Sequence, residues 1–177
     1  MIPSIQDRLA SIVSAMRDVV IPAIDQTNAL AHEQAQLIVG HVNLLLQQLD
    51  HAKEYEEIEA RAATFLGQAL LAISSGGPET EAAKTILAKA IQNERSDLDR
   101  RRARVSVNDA CSRLIDAGYV DGEESFTSRI MPVVLEHMTS TSIHERAFCK
   151  AAGFDPDPES LPGLSDAIAA YAATVRR

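Results

Sequence analysis

Asn28-Ala29-Leu30-Ala31-His32-Glu33-Gln34-Ala35-Gln36-Leu37-Ile38-Val39-Gly40-His41-Val42-Asn43-Leu44-Leu45-Leu46-Gln47-Gln48-Leu49-Asp50 is the stretch whose reading decides the fold. Leu30, Leu37, Ile38, Val42, Leu44, Leu45 and Leu49 recur at helical spacing, which predicts a helix over 28–50 with one broad apolar face. Gln34, His41 and Gln48 fall one heptad apart along the centre of that face. A buried amide or imidazole left without a partner costs about 1–3 kcal/mol. The polar line therefore predicts a hydrogen-bonded seam between helices, an interface, or a small polar site.

The rest of the chain is read outward from this helix. Upstream, Ser4 with Asp7 resembles a capping box opening a first helix, striped by Ile5, Leu9, Ile12, Val13, Met16, Val19 and Val20. Pro22 should kink or end it. Downstream, the stripe loses phase around 50–53, so a tight connection is expected before Ile58, Ala62, Phe65, Leu66, Ala69, Leu70 and Ile73 define a third helix. Glu54, Glu56, Glu57 and Glu59 complement the positive end of its dipole. Gly76-Gly77 followed by Pro78 marks one helix end and the next start. The fourth helix packs through Ala83, Ile86, Leu87, Ala90 and Ile91, and the charge-dense residues 94–104 read as its exposed continuation. Val107, Ala110, Cys111, Leu114 and Ile115 restore the period, and Gly118 stops it. Beyond the Asp121-Gly122 turn, shorter helices are expected: one that Pro132 kinks or restarts, one opened by Ser142 and Glu145 and closed by Gly153, and a last over 164–175.

Composition fixes the class. The 177 residues are 46% hydrophobic but only 4% aromatic, with no Trp, and no segment sustains an apolar–polar alternation. An all-α antiparallel bundle of four main helices follows, with residues 1–118 as the bundle and 119–177 as a short-helix extension on the same core, one domain overall. The formal charge of -8 disfavours nucleic acid and anionic membrane surfaces as partners. The first helix carries Asp7, Arg8, Arg17 and Asp18, unlike a signal peptide, and no stretch is expected to span a bilayer. Cys111 and Cys149 lack metal spacing and read as reduced thiols of a cytoplasmic protein, with a pairing left open.

Candidate sites are few. Gln34, His41 and Gln48 read first as a seam fixing helix register, the role single polar residues play in coiled coils. The alternative is an interior pocket for a polar or planar ligand or a metal. Of His32, His51, His137 and His144, only His137 lies on an apolar stripe, which makes it the companion expected for His41. Bundle metal sites usually draw on several carboxylates and an ExxH pair, and helix two has no such pair, so neither metal nor cofactor is expected. His51 with Glu54 and Glu57 spans a helix break and reads as a solvated face. Gly76-Gly77 lacks the strand and lysine of a phosphate loop. Arg95, Arg100, Arg101, Arg102 and Arg104 interleave with Glu94, Asp97 and Asp99, which favours pairs within the chain or an acidic protein partner over RNA. No GxSxG elbow or Cys/His nucleophile pair is present.

The stretch Val19-Val20-Ile21-Pro22-Ala23-Ile24, then residues 28–31 and 38–50, resembles the opening of a family of small, uncharacterised bacterial helical proteins. Their genes often neighbour those of phosphotransferase-like kinases and acyl-CoA dehydrogenases. The resemblance implies a bacterial origin and carries no activity onto any residue. The expected function is a non-enzymatic interaction or accessory module, a homodimer, with a further protein partner possible in principle. Helix two is apolar over more of its circumference than one buried stripe requires, so Leu30, Leu37 and Leu44 are the expected interface.

Overall fold

A computed structural model describes residues 2–94, 99–153 and 155–174. It is 85% helical, with seven helices and no strand among the described residues. The chain divides into two compact units, Met1–Ala52 with His144–Ala167, and Lys53–Ile143 with Ile168–Arg177. The expected division at 118 falls inside a helix and inside the second unit.

In the first unit, α1 (Ile5–Ala15) opens with the expected capping box. The Ser4 hydroxyl accepts from the Asp7 amide at 3.0 Å, and the Asp7 carboxylate accepts from the Ser4 amide at 3.1 Å. The helix then widens into a π turn, Met16–Val20, and ends with Ile21–Ala23. Pro22 explains the widening: its ring has no N–H to give and crowds the carbonyl four residues back, and the π turn moves that carbonyl away. Asp25 accepts from the Thr27 amide and hydroxyl, both at 2.8 Å, and Asn28 caps α2 (Ala29–Gln48) through the Ala31 amide. α1 packs along α2, and the Gln6 side chain reaches Asp50 at 3.2 Å, so the two run antiparallel.

The second unit holds the main core. It draws on α3 (Ala52–Ile73), α4 (Pro78–Glu94), α5 (Arg100–Asp121) and the first part of α6 (Glu124–Cys149). Leu70, Leu87, Val107, Leu114 and Phe126 are completely excluded from solvent there. The expected four-helix core of the first four helices is thus corrected: α1 and α2 contribute nothing to this cluster. A loop staple joins α3–α4 to α5–α6. The Gly77 amide donates to the Asp121 carbonyl and the Glu123 amide to the Ser75 carbonyl, both at 2.9 Å. The Asp121 carboxylate accepts from the amides of Glu79 and Thr80 and from the Thr80 hydroxyl, at 2.8, 3.0 and 2.7 Å, capping α4. Gly76 and Gly122 pair backbone to backbone, and a Cβ on Gly76 would lie 2.7 Å from the Gly122 Cα.

Three further expectations are corrected. Residues 94–104 are not one continuation of α4, because Asp99, in extended conformation, caps α5 through the Arg102 amide at 3.0 Å; Arg95, Asp97 and Leu98 lie outside the described residues. Pro132 does not restart a helix, since α6 runs through it for 26 residues. Pro132 has no N–H for the Ser128 carbonyl, and both residues are exposed, on the solvent side of the helix. Ser142 consequently lies inside α6 and caps nothing. The chain turns after the 3₁₀ turn Lys150–Ala152 at Gly153, which has φ 78°, and continues to α7 (Leu164–Thr174). There the Arg146 guanidinium binds Asp155 with two bonds, at 2.8 and 2.9 Å.

Gly76→Ala should destabilise by about 1–3 kcal/mol, because the clash is with backbone and cannot be relieved by a rotamer. Leu87→Ala should cost about 2–5 kcal/mol by opening a cavity. Urea unfolding followed by circular dichroism checks both. In the first unit, the Arg146 side chain and then the Asp157 amide hold the Asp155 carboxyl down at about 2. Because that value is depressed in the fold, the pair's contribution is complete above the ordinary carboxylate pKa and is lost as pH falls towards 2. Carboxyl carbon NMR should find Asp155 titrating near 2 and returning towards the ordinary Asp range in Arg146→Ala.

Candidate functional site

α2 buries the side chains of Ala35 and Val39, and this sets the orientation of everything else on it. Gln34 and His41 lie about a third of a turn away from those two and are exposed. Gln48, half-buried, donates its amide to the Phe148 carbonyl at 2.8 Å. The first two members of the polar line are thus open to solvent, and the third bonds to the end of α6. His41 and Leu37 border a shallow groove of about 150 Å³ with Gly40 and Ala152, where the 3₁₀ turn packs on α2.

The same orientation leaves large apolar side chains in solvent. Leu30 is 66% exposed, and Ile38 and Leu45 are about half so, while Leu37 and Leu44 are half-buried. The first helix shows the same arrangement: Val13 is buried, whereas Ile5 and Ile12 of α1 and Val19 of the π turn, each seven residues from the next, are 60%, 46% and 66% exposed. Both helices of the hairpin thus carry large apolar residues that their mutual packing leaves in solvent.

His137 belongs to the second unit, apart from Gln34, His41 and Gln48, which belong to the first. It lines a half-open pocket of about 280 Å³ between α3, α6 and α7, which includes none of the other three. Ala62 and Ala69 of α3, one heptad apart, form a floor whose short side chains leave the space, and Phe65, Leu66 and Val133 wall it. Glu136, Ser140 and Thr141 of α6 and Tyr171 and Thr174 of α7 complete the lining. Sequence reading singled out only His137 here. The available signal was the alanine pair opposite a histidine within an otherwise large-residue stripe.

The arginine run is largely used inside the chain. Arg100 pairs with Glu94 at 2.9 Å, and Arg104 with Glu59 at 3.0 Å and Glu56 at 3.7 Å. Among the described residues no group of three His, Cys, Asp or Glu side chains is placed to hold a metal. Both cysteines are free; Cys111 is buried and Cys149 exposed. Burial pushes the Cys111 thiol up to about 12, which removes it as a nucleophile at neutral pH. No protein family, curated protein or solved structure matches this chain.

A disulfide-exchange reagent at neutral pH should label one thiol per folded chain, at Cys149, and a second only on unfolding. Cys149→Ser should remove the fast phase entirely, as read by thiol absorbance or intact mass.

Proposed function

We propose that this chain is a cytoplasmic, non-enzymatic interaction module that pairs with a second copy of itself through the α1–α2 hairpin. The observation that carries the reading is the large apolar side chains left in solvent on both helices, Ile5 and Ile12 on α1 with Val19 in the π turn, and Leu30, Ile38 and Leu45 on α2 beside the half-buried Leu37 and Leu44. A two-helix hairpin that buries Val13, Ala35 and Val39 but exposes larger side chains gains stability by laying those side chains against another helical pair.

Charge supports a second copy as the occupant. In a chain of net charge -8, α2 contains one formally charged residue, Glu33. A near-neutral face meets its own copy without the repulsion that an acidic surface would suffer. Gln34 and His41, exposed among Leu30, Ile38 and Leu45, are suited to hydrogen-bond across such an interface and fix its register. The acidic balance disfavours nucleic acid, and no described helix is long and apolar enough to cross a membrane.

Sedimentation equilibrium at micromolar concentration tests the reading, with a dimer expected for the native chain. Ile38→Glu and Leu45→Glu should give monomers with unchanged helical circular dichroism. A native chain that stays monomeric throughout the micromolar range would overturn the pairing.

A further inference from the structure

We infer that two copies of the chain meet through α2 in antiparallel orientation, the two-fold axis passing between Leu37 and Ile38, so that Gln34 of each copy hydrogen-bonds His41 of the other. The arrangement rests on the reading that the α1–α2 hairpin pairs with a second copy, and adds to it an orientation, a register and the bonds that set them.

The packing of its own unit leaves one side of α2 open. At 100° per residue, Leu30, Gln34, Ile38, His41 and Leu45 lie within about 40° of a single line along the helix. All five are exposed. Ala35 and Val39 are buried on another side, and Gly40 and Gln48 are half-buried towards the turn after α6. Along the open strip the residues run apolar, polar, apolar, polar, apolar, the same pattern from either end. Such a strip matches its own copy when the copy is reversed.

With the axis between Leu37 and Ile38, Leu30 faces Leu45, Gln34 faces His41, and Leu37 faces Ile38. The Gln34 amide carries both a donor and an acceptor, so it satisfies either tautomer of a neutral imidazole. Symmetry makes the bond twice, at points about 10 Å apart along the helix. A register one heptad on, centred on His41, would need Gln48 opposite Gln34, but Gln48 has given its amide to the Phe148 carbonyl at 2.8 Å. A parallel pair would set Glu33, the one formally charged residue of α2, against its own copy and align the two helix dipoles. The antiparallel pair places Glu33 opposite Val42 and opposes the dipoles.

Disulfide cross-linking of added cysteines in a Cys149→Ser chain reads the orientation, since Cys111 is buried. Leu30→Cys and Leu45→Cys should each fail to cross-link with itself, the two copies of either residue lying about 22 Å apart along the helices. Mixed together, the two variants should form a disulfide-linked dimer. Sedimentation equilibrium reads the bonds. Gln34→Leu and His41→Leu should each weaken dimerisation at least about tenfold, because each leaves a polar partner unpaired in the interface. Combined in one chain, they should return the affinity to within about threefold of native, or better, because no polar group is then left unpaired. Self-cross-linking by Leu30→Cys, absence of the mixed dimer, or a double variant weaker than either single one overturns the arrangement, while a native dimer leaves the pairing itself intact. A native chain that stays monomeric throughout the micromolar range removes the pairing and the arrangement together.

Discussion

The Asp121 carboxylate is the joint on which the second unit depends. It sits at the end of α5 yet satisfies two of the amides that α4 leaves open at its start, together with the Thr80 hydroxyl. The Thr80 hydroxyl is the main cause that holds this carboxyl below its ordinary value, and the Glu79 and Thr80 amides add to it. The joint is therefore complete wherever the carboxylate is charged and loosens as pH falls through that lowered value. Backbone bonds on either side of it, from Gly77 to Asp121 and from Glu123 to Ser75, pin the start of α6 to the end of α3. Phe126, in the first turn of α6, then lies directly over Gly118, where any side chain would collide with its ring. The paired loops thus set the depth at which α6 enters the core, and with it the placement of the pocket-lining residues further along the same helix.

α2 of the first unit and the core of the second use their apolar residues differently. In the second, large side chains such as Leu70, Leu87, Leu114 and Ile130 are buried and small ones allow close approach, as at Gly67, where an added Cβ would crowd Ile91 and Leu87. In the first, the small residues Ala35 and Val39 occupy the buried side of α2, and larger leucines and isoleucines face outward. The first arrangement is that of a closed core, whereas the second leaves large apolar side chains in solvent.

Local signals were legible in the sequence and non-local ones were not. Ser4 with Asp7, Pro22, Asn28, Gly76-Gly77 before Pro78, and Asp121-Gly122 all punctuate the chain as read, because each acts on backbone within a few residues of itself. Ser142 with Glu145 shows the limit: the same chemistry inside a helix with intact upstream turns has no open amides to cap. Which side of α2 is buried was not legible, because the helix is apolar over most of its circumference and the side packed within its unit is that of the smaller Ala35 and Val39. His137 was visible as an oddity on an apolar stripe, but its surroundings were not, since the pocket is made by what Ala62 and Ala69 lack and by a helix more than thirty residues further on.

The π turn at Met16–Val20 has a consequence for how the first helix tolerates change. Such a turn holds one residue more than the α-helical path needs, so it acts as a reservoir of chain length. Deleting a single residue there would draw on that reservoir and leave the Ser4 cap and Val13 in their places, at the cost of setting Pro22 back against a carbonyl. Deleting a residue between Ile5 and Ile12 would instead rotate one part of the apolar row about 100° relative to the other. Length variation in this helix is therefore confined to the segment beside the proline, and the spacing of the row that precedes it is rigid.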